Sequence, residues 1–218
     1  ADEKEIFALA DVLREMGTGT IQAGGGQYVE LKDGMMRRLA AATGRVVVYN
    51  SLSQTMRRPD EWKIHMARIE ETAAMGIRAY PMCSPNRVTQ DFTMKNSQVF
   101  RGLPTWHPIL LMSDEEKLRL YADPEIRARL HEEAVVSKPD SAVGISKTWW
   151  NYIWVNQPVL EKNKWMQFKN IGEIAKQQGK RVIDAFLDLV VEEKLETRFL
   201  QAENNIDDEA LKKILTHP

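Results

Sequence analysis

The chain has 218 residues, 43% hydrophobic and 28% charged, an ordinary globular balance with room for a sizeable core. Thirty basic and 31 acidic residues leave a formal charge of −1, so no long-range field favours a polyanion, and nucleic acid is not an expected partner. No apolar run reaches the ~18 residues of a membrane span, the acidic start Asp2-Glu3-Lys4-Glu5 is unlike a signal peptide, and the single Cys83 excludes an internal disulfide and a multi-cysteine zinc site. The expectation is a soluble, cytoplasmic protein with no membrane partner.

One pattern organises the first eighty residues. Ile6, Leu9, Ala10, Leu13 and Met16 recur at helical spacing, Gly17 follows where a C-terminal glycine belongs, and Thr18–Ala23 reads as a short strand. The plan repeats with a helix over 29–43 carrying Met35, Met36, Leu39 and Ala40, then Gly44, then Arg45-Val46-Val47-Val48-Tyr49-Asn50. That continuous β-branched run predicts a strand buried on both faces. The third unit opens at Pro59-Asp60-Glu61, presents Trp62, Met66, Ile69 and Ala73, closes at Gly76, and continues into the strand Ile77–Met82. The glycines at 17, 44 and 76 lie near the ~30-residue period of a βαβ unit. Three such units predict parallel strands joined by crossover helices.

Regularity lapses from 84 to 165, which reads as an elaborated loop insertion with turns at Ser84-Pro85-Asn86, Gly102-Leu103-Pro104 and Lys138-Pro139-Asp140. Ser113-Asp114-Glu115-Glu116 is a capping-box pattern, and Asp123-Pro124-Glu125 opens a second short helix. Thr148–Val155 is aromatic and strand-like. Beyond it come a helix over 171–178 stopped by Gly179, an amphipathic helix from Val182 to about Leu195, a strand at Arg198–Gln201, and a last helix capped at Asp207-Asp208-Glu209.

In parallel α/β folds ligands bind at the carboxyl ends of the strands. Here those ends are followed by Gly24-Gly25-Gly26-Gln27, Ser51-Leu52-Ser53-Gln54 and Cys83-Ser84-Pro85-Asn86-Arg87. The triple glycine matches no dinucleotide fingerprint or P-loop and serves as a flexible turn or an anion cradle. Gln22, Asn50, Ser51, Tyr80 and Arg87 are the candidate substrate-binding residues, with Arg87 suited to a substrate carboxylate. Asn50 and Ser51 have loop capping as their ordinary alternative. Cys83 has no histidine nearby in sequence and reads as a core thiol rather than a nucleophile. His65 and His131 sit among charges on helices, where exposure is the default; His107 reads as structural or as part of a cleft, and no two histidines are spaced for zinc. The Trp149–Trp154 stretch packs a core or lines an apolar pocket. No catalytic residue is assignable.

These features together resemble the central and later part of the N-acyl-D-amino-acid deacylase branch of the amidohydrolase superfamily. The resemblance rests on the three helix–glycine–strand units, on Gly76-Ile77-Arg78-Ala79-Tyr80-Pro81, on Leu120-Tyr121-Ala122-Asp123-Pro124-Glu125-Ile126-Arg127, and on the ending Ile214-Leu215-Thr216-His217-Pro218. It implies an α/β fold, a partial (β/α)8 TIM-like barrel spanning 1–218 with the insertion inside it. It also implies hydrolysis of a small-molecule amide through zinc-activated water. The family's histidine ligands on two intervening strands fall at Gly24 and Ser51, and the other ligands fall outside the sequence, so no metal ligand is carried over and no zinc is expected on this chain. Three or four βα units cannot close an eight-stranded barrel. The chain is therefore expected to be part of a longer polypeptide or to be completed by homo-oligomerisation. The alternative function is a non-catalytic α/β binding or assembly module.

Overall fold

The computed structural model describes residues 2–24, 26–136, 145–146 and 148–217, so Gly25, Pro218 and the turn expected at Lys138-Pro139-Asp140 lie outside the described residues. The chain divides into two compact units, 1–88 with 204–218, and 89–203.

The first unit begins with α1 (Glu3–Met16), whose first turn is capped by Asp2 and whose end is set by Gly17 in the left-handed conformation. Then follow β1 (Thr20–Ala23), α2 (Gly26–Asp33), α3 (Met35–Thr43), β2 (Val46–Asn50), α4 (Glu61–Ala74) and β3 (Ala79–Met82). The single helix expected over 29–43 is two helices. Gly34 has φ +64° between them. The Glu30 carboxylate accepts hydrogen bonds from the amides of Met36 (2.8 Å) and Arg37 (3.2 Å), so a side chain of one helix caps the next.

The three strands are parallel and ordered β1-β2-β3, as the repeating units predict. Ile21, Val47 and Ala79 share one register row, and Val47, Tyr49 and Ala79 are buried with Ala10, Met36, Leu39 and Ala40 from α1 and α3. The other face is not covered. Val46 and Val48 are only half-buried and Asn50 is exposed, which corrects the expectation that β2 is buried on both sides. The apolar run does not distinguish the faces. The helices do, because they lie on one side only.

The second unit holds most of β4 (Val88–Phe92), α5 (Trp106–Leu110), α6 (Asp114–Ala122), α7 (Pro124–His131), β5 (Ile153–Gln157), α8 (Ile171–Gln178), α9 (Val182–Glu192) and most of β6 (Arg198–Asn204). The Ser113 capping box and the Asp123 cap form as expected. A π-helical turn at Glu132–Val136 and 3-10 turns at Trp149–Asn151 and Glu161–Met166 complete it. Its sheet is ordered β4-β6-β5, and β5 pairs antiparallel with β6. That is not barrel geometry, so parallel βα architecture is confined to the first unit and closure into a TIM-like barrel is not seen among the described residues. The core is aromatic. Phe100 stacks on Trp106 at 4.1 Å and meets Trp149 edge-on at 5.0 Å, and Phe186 lies beside both Trp149 and Phe199. Trp149 thus takes the packing role. Back in the first unit, α10 (Asp208–Leu215) brings Ala210 and Ile214 against Leu52, Trp62 and Met66. Among the described residues no helix is long and apolar enough to cross a membrane.

Candidate functional site

The parallel register decides which sequence candidates meet. Gln22 pairs with Val48, and Val48 with Tyr80, so Gln22 and Tyr80 flank Val48 in one row on the uncovered face. Two strand spacings set them about 10 Å apart. Tyr80 is 47% exposed, and Gln22 is exposed as well. One row nearer the carboxyl edge, Asn50 pairs with Met82, and Ser51 follows it into the loop; both are exposed. Four of the five candidates therefore share one face or edge of the sheet.

Arg87 does not join them. Its Nη2 donates to both oxygens of the Asp208 carboxylate at 3.3 and 3.2 Å, so the residue expected to meet a substrate carboxylate holds one from its own chain. Position 208 lies 121 residues away, beyond any local signal.

Behind the edge lies a tightly tied set of loops that the sequence did not single out. Gly26 has φ +68°, and a Cβ there would stand 2.9 Å from the Asn50 carbonyl oxygen. Only glycine lets α2 start this close to the end of β2. That is a packing reason for the glycine, beside the turn and anion-cradle readings. Gln27 is buried; its Oε1 accepts from the Ser53 amide at 3.1 Å, while its Nε2 has no partner among the described residues. The Leu52 amide donates to the Met82 carbonyl at 2.9 Å. Gln54 and Asn205 are joined reciprocally: the Gln54 amide donates to Asn205 Oδ1 at 3.1 Å, and the Asn205 amide donates to the Gln54 carbonyl at 2.8 Å. Asn205 adopts φ +56°, and its Nδ2 donates to the carbonyls of Ser84 and Asn86. Asparagine tolerates that conformation better than most residues.

The titratable groups are placed for structure. His65 is fully buried, not exposed as its charged neighbours suggested. Its Nε2 lies 2.9 Å from the Tyr49 hydroxyl, with the rings edge-on at 5.8 Å. Burial, aided by the nearby Arg68 guanidinium, pushes the His65 pKa down to about 4. Burial, aided by the Glu30 charge, pushes the Tyr49 phenol up. His131 is likewise half-buried rather than exposed, and burial lowers its pKa. His107 is exposed on α5. The Cys83 thiol donates to the Ser84 carbonyl at 3.3 Å and packs beside Leu52 and Trp62; burial raises its pKa, the opposite of what activates a nucleophile.

Zinc does not fit the described residues at the two positions the resemblance singles out. Glycine at position 24 offers no side chain and Ser51 only a neutral hydroxyl. Among the described residues no group of three His, Cys, Asp or Glu side chains is placed to hold a metal. Two grooves, of about 440 and 480 Å3, lie in the second unit, and none of the five candidates lines either.

No known protein-family profile and no curated protein matches the sequence. Two solved structures are similar to the chain. One is an N-acyl-D-glutamate deacylase from Bordetella bronchiseptica, complexed with zinc and a phosphonate inhibitor. It is 15% identical, with a TM-score of 0.44, over 100% of this chain and 34% of that one. The other is a D-aminoacylase described as defining a novel subset of amidohydrolases. It is 15% identical, with a TM-score of 0.40, over 99% of this chain and 34% of that one. The chain thus spans about a third of the length of each. Likeness at this level transfers no residue role.

Proposed function

We propose that the chain is a segment of an amidohydrolase-like hydrolase acting on non-peptide C–N bonds, such as those of N-acyl-D-amino acids. In this reading it contributes barrel wall and substrate-side loops and is inactive on its own. The observation that carries the reading is the register across β1, β2 and β3. It lays Gln22, Val48 and Tyr80 in one row on a helix-free face, with Asn50 and Ser51 at its carboxyl edge. A parallel sheet with helices on one side and polar groups on the other is what a barrel wall presents to its lumen. The amide of Gln22 and the phenol of Tyr80 supply donors and acceptors that orient a polar substrate. No step through zinc is assigned to this chain, because no group of metal-holding side chains is found among the described residues.

A second reading is favoured by one feature of α1. Leu9, Val12 and Met16 are 66%, 51% and 64% exposed and fall on one helical stripe. That stripe suits a non-catalytic assembly module completed by another copy. The DNA flanking the coding segment separates the two. An open frame with a His-x-His-type pair upstream supports the hydrolase segment. A start near Ala1 and a stop after Pro218, together with a defined oligomer by light scattering, supports the assembly module. Stoichiometric zinc and turnover of an N-acyl-D-amino acid by this chain alone would overturn its proposed inactivity.

A further inference from the structure

Helix α1 is apolar on two sides. Ile6, Phe7 and Ala10 face the core of the first unit. Leu9, Val12 and Met16 are each more than half exposed on a second side. Their spacings of three and four residues place them on one straight stripe, about 10 Å long. A surface helix of a finished fold is polar on the side away from its core, so a second apolar side marks one half of a helix pair. The spacing is that of a coiled-coil seam, with Leu9 and Met16 at a positions, Val12 at d, and Glu5 at the d position before them. The Asp2 cap and the left-handed Gly17 fix both ends of the helix, so a regular element presents the stripe.

The charges beside the stripe say what covers it. Glu3 is held by Arg38 at 2.6 Å, and Asp11 by Arg14 at 2.9 Å. Lys4, Glu5 and Glu15 are exposed and make no ion pair among the described residues. Lys4 and Glu15 lie about three turns apart, so they stand on the same flank of the stripe at its opposite ends. Such a flank is complementary to itself when two copies run antiparallel. A two-fold axis across the seam then sets like flanks together and reverses their ends, so Lys4 meets the partner's Glu15, and Glu15 meets the partner's Lys4. A parallel pair sets unlike flanks together and opposes the two Glu5 carboxylates across the seam. Antiparallel packing also brings opposite ends of the helix dipoles together.

We propose that α1 is the docking surface for α1 of a second copy of this chain, joined as an antiparallel helix pair with its two-fold axis beside Val12. The proposal rests on the assembly reading above, gives it an interface and a geometry, and leaves the hydrolase reading untouched. Three apolar side chains a side make a seam at the small end of specific interfaces, so the pair is weak and reversible.

The test is sedimentation equilibrium of the whole chain at low salt. A monomer–dimer equilibrium with a Kd of about 10–100 µM is expected. Val12→Glu should weaken it by about tenfold or more, with the urea midpoint unchanged because position 12 is exposed. Lys4→Glu and Glu15→Lys should each weaken it by about threefold or more, since each substitution turns two attractive pairs repulsive. The double variant Lys4→Glu with Glu15→Lys should restore the original Kd, which only the antiparallel pairing allows. A chain that stays monomeric at about ten times the expected Kd overturns both this proposal and the assembly reading. A dimer indifferent to Val12→Glu overturns the proposal alone. Single charge variants without effect, or a double variant that does not recover, overturn the antiparallel pair.

Discussion

Acidification should loosen the first unit through one histidine. In the folded chain His65 is fully buried and its Nε2 has one partner, Tyr49, at 2.9 Å; its Nδ1 has none among the described residues. Protonation makes both ring nitrogens donors, leaves the Nδ1–H buried without an acceptor among the described residues, and places a cation near Arg68, which sits one turn further along α4. The folded pKa of about 4 lies below the ordinary 6.5. Between those values the unfolded state binds more protons than the folded state, so stability is flat above about pH 6.5 and falls as pH drops toward 4. The full loss is about 3 kcal/mol, and about 2 kcal/mol of it is reached by pH 5. Trp62 belongs to the first unit and the other five tryptophans to the second, so 19F of 5-fluorotryptophan at position 62 reads the relevant transition. The urea midpoint at Trp62 should fall by about 1 M or more between about pH 7.5 and pH 5. Tyr49→Phe with His65→Leu should remove that dependence, because neither proton nor orphaned hydroxyl remains. An unchanged wild-type midpoint, or an equal fall in the double variant, would refute the argument.

Three further outcomes follow from other residues. Glu193 is buried and accepts from the amides of Val159 (2.8 Å) and Leu160 (2.9 Å), from Asn163 Nδ2 (2.9 Å) and from the Thr197 hydroxyl (2.6 Å). Glu193→Ala strands those donors and should cost about 3 kcal/mol or more in urea melts of the second unit. Burial opposes ionisation of Glu193, but these hydrogen bonds still hold its pKa low, so its contribution is complete above the usual carboxylate range and lost as pH falls below it. Gly26→Ala should destabilise the first unit by about 1–3 kcal/mol, since the new Cβ meets the Asn50 carbonyl at 2.9 Å from a left-handed residue; hydrogen exchange at the β2 amides measures it. Cys83 should react with iodoacetamide at neutral pH at least about tenfold more slowly in the native than in the denatured chain, timed by mass spectrometry, because its thiol is raised by burial. Equal rates would restore the nucleophile reading.

The sequence by itself determined the features whose causes lie within a few residues. Gly17, Gly44 and Gly179 end helices, Ser113, Asp123 and Asp207 start them, and the recurring helix–glycine–strand spacing makes β1, β2 and β3 parallel neighbours. Caps and periodicities act over one or two turns, so they are written locally. What only the tertiary structure decided depends on partners distant in the chain. The apolar run of β2 cannot say which face the helices take. His65 looks solvated until Tyr49, sixteen residues earlier, is brought against it. Arg87 looks free until Asp208 claims it. Gln54 and Asn205 bind each other across 151 residues. A buried polar group costs several kcal/mol unless a partner reaches it. Which partner does so is fixed by packing, and one-dimensional spacing does not record it.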